Sequence, residues 1–262
     1  MQELEIPVDK LPSKGKLYPF NYITLPRLKF STVLDYQSDL SCCRNELSKF
    51  VTQLKYLLRD LPSYKQLLMY DAVPLLLIRT YASATPELSN HIRIKFICPI
   101  HRQPEEFDIN LESIEFNDID PELYKIDTFR INNQTFKFRL PTVDDFLRTA
   151  DTFMTILPVK DSVAMKMIWI LSMFSEVDKR ENRSRILQAV RTATSEGNGI
   201  KTLTYLYSKL TNAFTHLTTE CRNGGETVKV EIPVIEPLTA YFLNFSIQGK
   251  PDGDIFTYKT EI

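Results

Sequence analysis

Cys98, His101 and Cys221 are the residues of this chain whose types and spacing come nearest to doing chemistry, and the chemistry would be zinc binding. Cys98-Pro99-Ile100-His101 sets two metal-ligand types at the separation that lets both side chains of one tight turn reach a tetrahedral ion. A second turn, Cys221-Arg222-Asn223-Gly224-Gly225, could supply the other half, but Gly224 stands where a fourth ligand is needed. His216 or His91 completes the set only if the fold carries it there. The competing reading is a half-buried thiol at Cys98 and a turn histidine at His101, because free cysteine is among the most buried residue types. The expectation is a pair of turns that keep a hairpin shape and have lost the metal, so no cofactor is expected, with zinc as the alternative.

Other chemistry finds less support. The chain has three histidines, no Gly-x-Ser-x-Gly elbow, and nothing in the pattern that pairs Cys42, Cys43 or Cys221 with a base, so no catalytic residue and no enzyme are expected. Asp118 and Asp120 lie in an acidic stretch from Glu115 to Glu122 that lacks the glycine and distal glutamate of a calcium loop; a solvated loop is expected. Asp144-Asp145 suits the first turn of a helix, where negative charge complements the dipole. Gly197-Asn198-Gly199 carries no phosphate-binding pattern and reads as a break between helices. Lys14, Lys16, Arg27 and Lys29 interleave with Tyr18, Phe20 and Tyr22, a composition that could stack on bases or anchor a protein interface.

Bulk charge weighs on that choice. Lys plus Arg number 32 against 33 Asp plus Glu, so no global basic field draws nucleic acid or an anionic membrane, and protein contact is the expectation. No apolar run approaches the ~20 residues of a membrane span. The acidic start Met1-Gln2-Glu3-Leu4-Glu5 has no apolar core of a signal peptide, which predicts synthesis and retention in a cytosol. Four cysteines, two of them adjacent at Cys42 and Cys43, do not make a disulfide framework.

The elements that must position these residues follow from periodicity. Residues 1–30 open with Leu11-Pro12-Ser13-Lys14-Gly15-Lys16-Leu17-Tyr18-Pro19, two prolines framing a glycine, and predict an extended arm with one turn at Gly15. Residues 31–140 begin as a helical packet, Leu47, Phe50, Val51, Leu54, Leu57 and Leu58 recurring at helical spacing and the apolar content continuing past Pro62 and Pro74, which predicts two to four short helices. From His91 the period shortens to two, predicting four short strands in two hairpins with Asn132-Asn133-Gln134 as one turn. Residues 141–262 return to helices, capped by Thr142 or Asp144, with further helices at 162–175, 183–195 and 201–217, and close on a β-hairpin region in which Val228, Val230 and Ile232 alternate. A strand, a cysteine-bearing turn and a strand thus occur twice. The fold class expected is α+β, helical segments with two small antiparallel hairpin regions resembling degenerate zinc ribbons.

Leu11 to Pro19 resembles the opening of a family of baseplate hub proteins of T4-type contractile-tailed bacteriophages. The likeness continues in order through Cys98-Pro99-Ile100-His101, through Leu140-Pro141-Thr142-Val143-Asp144-Asp145-Phe146-Leu147, and through Cys221 with the strand from Val228 to Pro233. His101 and Gly224 depart from the family's cysteines, at the metal positions. The resemblance implies a structural subunit of the tail baseplate hub, found in the virion and in the host bacterial cytoplasm during assembly. Its partners would be other hub and tail proteins, with no nucleic acid, membrane span or small-molecule substrate. The alternatives are an assembly chaperone absent from the mature particle and a zinc-dependent binding module. Tyr18, Phe20 and Tyr22 of the arm, and Tyr241, Phe242 and Phe245 of the tail, are the candidates for partner contact; the tail aromatics equally suit closure of the chain's own core.

Overall fold

A computed structural model describes residues 4–61, 63–83, 91–97, 104–110, 116–131, 134–154, 161–175, 177, 180–195, 202–203, 205–207, 209, 216–221 and 228–233. Six α-helices and four two-stranded antiparallel sheets make up these residues, together with short 3-10 turns, so the architecture is α+β.

Strand β1 (Leu4–Pro7) pairs with β2 (Tyr22–Leu25), Leu4 opposite Leu25. The expected extended arm is therefore folded back on itself. Ile6, Val8, Leu11, Ile23 and Leu25 are buried in the main core, because burial of these five apolar side chains outweighs what an extended segment gains by staying hydrated. The turn expected at Gly15 is there: Lys14 and Gly15 both have positive φ, 53° and 68°, and the amide of Lys16 donates to the carbonyl of Ser13 at 3.2 Å. Two successive left-handed residues are the type I′ pattern, which glycine adopts without steric cost. A Cβ on Gly15 would also stand 2.3 Å from Cγ2 of Val8.

Three helices follow: α1 (Phe30–Cys42), α2 (Glu46–Leu57) and α3 (Met69–Ser83). Asn45 caps α2 by accepting from the amide of Ser48 at 2.8 Å, with the Ser48 hydroxyl returned to the cap. Helix α3 runs through Pro74. Proline removes one helical hydrogen bond, and the cost is carried by a helix whose residues from Met69 to Leu76 are all buried.

Hairpins β3–β4 (His91–Ile97, Pro104–Asn110) and β5–β6 (Thr128–Ile131, Gln134–Lys137) match the four expected strands. In β5 the pleat is plain, Phe129 and Ile131 buried and Thr128 and Arg130 exposed. Helix α4 (Val143–Phe153) is capped by Thr142, whose hydroxyl accepts from the amide of Asp145 while Asp145 accepts from the amide of Thr142. Helices α5 (Asp161–Ser172) and α6 (Arg180–Ser195) follow, then the hairpin of β7 (His216–Cys221) with β8 (Val228–Pro233). His216 and Leu217, expected to end a helix, lie in β7 instead: Leu217 and Thr219 pair with Ile232 and Val230, the cross-strand match that a branched, alternating sequence favours.

Two aromatic clusters organise the interior. Phe50 of α2, Phe146 of α4 and Trp169 of α5 pack in series at 5.6 and 5.2 Å between ring centroids, with Tyr70 of α3 against Trp169 at 6.4 Å. Phe129, Phe136 and Phe138 close on Phe174, which fastens the β5–β6 hairpin to the chain between α5 and α6.

Candidate functional site

The described residues that gather polar groups into the interior lie along α3 and the segments that meet it. Asp71 is fully buried on the first turns of α3. Its Oδ1 accepts from the amide of Ser13 at 2.9 Å and its Oδ2 from the Tyr18 hydroxyl at 2.5 Å. That hydroxyl in turn accepts from the amide of Leu68 at 3.0 Å, and the carbonyl of Ser13 accepts from the Tyr124 hydroxyl at 3.1 Å. The Ser13 side chain accepts from the amide of Gly15, so the turn is fixed from inside as well as by its backbone. Leu11 to Pro19 is thus wrapped around one buried carboxylate.

Among the described residues no cation partners Asp71, and the electrostatics follow from that. Burial pushes the Asp71 carboxyl above the usual aspartate range, against the hydrogen bonds from Ser13 and Tyr18, which favour its ionised form. Burial, and then the negative charge of Asp71, push the Tyr18 phenol well above its ordinary value, so it stays a donor. This is the arrangement of a structural lock: the hydroxyl is committed on both sides, to Asp71 and to Leu68.

The second motif arrives at the same place. Leu68 and Thr142 form an antiparallel bridge, the amide of Met69 donates to the carbonyl of Pro141 at 2.9 Å, and the amide of Val143 donates to the carbonyl of Leu67 at 2.8 Å. Asp145, 3% exposed, caps α4 and is held by Arg139 and by Arg148 at 3.2 Å. Asp144 pairs with Arg148 at 2.9 Å and approaches Lys65 at 3.9 Å. The two carboxylates expected at a helix N-terminus are there, and both are paired.

Farther along α3, Arg79 is wholly buried and donates to the carbonyls of Leu57 at 2.6 Å and Pro26 at 3.1 Å and to both oxygens of Asp60. Burial pushes Asp60 up, but the hydrogen bond and charge of Arg79 outweigh it and hold the carboxyl below its usual range. Asp71 and Arg79 escaped the reading of the sequence, though a signal was present. Each is a lone charge in the run Leu67 to Tyr81, and a charge amid apolar residues of a helix is a candidate for buried pairing.

The basic and aromatic residues of the first 30 positions separate. Tyr18 and Phe20 stack on one another at 5.0 Å with planes 7° apart, both packed against the core, and Tyr18 faces Asp71; neither is presented as a free contact ring. Tyr22 is exposed. Lys14 pairs with Asp118 at 2.8 Å and Lys16 lies over the Tyr124 ring at 4.8 Å. The acidic stretch expected to be only solvated is fastened: the Ile119 amide donates to the Pro12 carbonyl at 2.9 Å, Ile119 is buried, and Asp120 pairs with Lys209. Cys98 and His101 lie outside the described residues, as do Tyr241, Phe242 and Phe245. Cys221 ends strand β7, and among the described residues no group of three or more His, Cys, Asp or Glu is placed to hold a metal. No described helix is long and apolar enough to cross a membrane.

Beside this interior site, the surface carries Phe30 and Leu34 one turn apart on α1, 77% and 48% exposed. No protein-family model, curated protein or solved structure matches this chain.

Proposed function

We propose that the chain is a structural subunit of the tail baseplate hub of a T4-type contractile-tailed bacteriophage and works by protein contact. The observation that carries the reading is the convergence of two motifs of the family resemblance: Leu11 to Pro19 and Leu140 to Leu147 both close on Leu67 to Asp71. Motifs that lock to each other through the core mark a shared architecture, whereas motifs kept for chemistry converge on an accessible pocket. In this reading the β3–β4 and β7–β8 hairpins are worn-down zinc ribbons that have kept their shape. The chain needs no catalytic group or cofactor; it is made in the host cytoplasm and ends in the virion. Exposed Phe30 and Leu34, with Tyr22, are suited to bury apolar area against a neighbouring subunit.

Mass spectrometry of purified particles tests this reading. The chain should appear in intact virions at a fixed ratio to other hub proteins. Presence in infected cells with absence from particles would make it an assembly factor, and absence from both tail intermediates and particles would end the reading.

A further inference from the structure

A groove of about 220 Å³ lies between β6 and the start of α6, lined by Thr135, Phe136, Lys137, Phe174, Arg185 and Ile186, with Ser175 and Asn182 at its margin. Its volume falls short of the roughly 300–1,000 Å³ that a drug-sized ligand or cofactor occupies, and suits one anchoring side chain. The floor is apolar: Phe136 and Phe174 pack edge to face at 5.2 Å and belong to the second aromatic cluster, and Ile186 is buried. The walls are cationic. Lys137 is exposed, and the Arg185 guanidinium is held over the Phe136 ring at 5.2 Å while donating to the carbonyl of Thr135 at 3.3 Å. Among the described residues that line the groove there is no carboxylate.

We propose that this groove docks a partner protein through an acidic segment that carries one aromatic or large aliphatic residue, the apolar side chain seated between Phe136, Phe174 and Ile186 and flanking carboxylates meeting Lys137 and Arg185. Arg185 is held by the ring and the carbonyl before any partner arrives, so little side-chain entropy is lost when a carboxylate binds it. A nucleic acid is the weaker match, because two cations over a single-residue groove do not make the continuous basic track that a phosphate backbone follows. The proposal rests on the protein-contact reading above and adds to it the chemistry of one partner.

Fluorescence anisotropy on the full chain tests it, with a labelled short peptide of glutamates flanking a single phenylalanine. Its lysine counterpart and an oligothymidylate serve as competing probes. The acidic peptide should bind the wild type, weaken as salt is raised, and weaken about tenfold in K137E/R185E. Lys137→Glu alone leaves Arg185 on its ring and should still weaken binding several-fold, with an unchanged thermal melt guarding against a folding defect. Equal binding to wild type and variants, no binding to the wild type, or equal capture of the oligothymidylate would overturn the proposal. The measurement needs no phage particle, so absence of the chain from virions would sink the hub reading and leave this result standing on its own.

Discussion

Asp71 and Arg79 sit about two turns apart on α3, both wholly buried, and are satisfied in opposite ways. Arg79 meets a carboxylate that reaches solvent, plus two carbonyls; the donors to Asp71 among the described residues are neutral, one an amide and one a phenol. Each nevertheless pins the N-terminal segment, Asp71 at Ser13 and Tyr18, Arg79 at Pro26 just past β2. Residues 4–26 are thus fixed to one helix at one end by an arginine that donates to the Pro26 carbonyl while Asp60 balances its charge, and at the other by a hydrogen-bond cage around a carboxylate. The two ends should therefore fail under different conditions.

The largest effect is expected at the ionic end. Asp60→Ala leaves the Arg79 guanidinium buried without its counter-charge and should destabilise the chain by about 3 kcal/mol in urea unfolding, the low end of the range for a broken buried pair because Asp60 itself reaches solvent. Asp71→Ala orphans the Ser13 amide and the Tyr18 hydroxyl and opens a small cavity; a loss of about 2–3 kcal/mol is expected by the same measurement. Gly15→Ala places a methyl at positive φ and against Val8, for about 2 kcal/mol. A loss near zero in the last case would mean that the turn is not closed as described.

The sharpest contrast is in pH. Asp71 has a raised native value, so below the ordinary aspartate range both folded and unfolded chains hold the proton. Between the ordinary and the raised value only the folded chain does, and stability falls as pH rises through that window. Asp60 has a lowered native value, so its contribution is present above the ordinary value and is lost as pH falls towards the lowered one. Asp71→Asn can still accept from Ser13 but not also from Tyr18, should cost about 1 kcal/mol, less than Asp71→Ala, and should flatten only the first slope. Asp60→Asn should flatten only the second. Urea midpoints across a pH series check both, and a shared response would erase the contrast between the two ends.

Much of this was legible where the signal is local. The hairpins β3–β4 and β5–β6 alternate residue by residue, and Thr142 with Asp145 spells a capping box in four positions. The β1–β2 pairing was not legible, since two four-residue strands separated by a long connection acquire a partner only when the turn around Ser13 folds onto α3. For the same reason Tyr18 read as an outward anchor: a tyrosine beside lysines looks exposed until a carboxylate 53 positions away claims its hydroxyl. The groove was hidden too, because Lys137 and Arg185 are brought together by Phe174 and not by any spacing in the chain. Asp71 and Arg79 were readable as lone charges in an apolar helix; which partners they take was not.

Hydrogen exchange at the Ser13 amide tests most directly whether Leu11 to Pro19 is an internal lock and not a free arm. Protection comparable to the α3 amides is expected in the wild type, with its loss in Asp71→Ala while α3 itself stays protected. Exchange of Ser13 at the rate of an open chain in the wild type would contradict it.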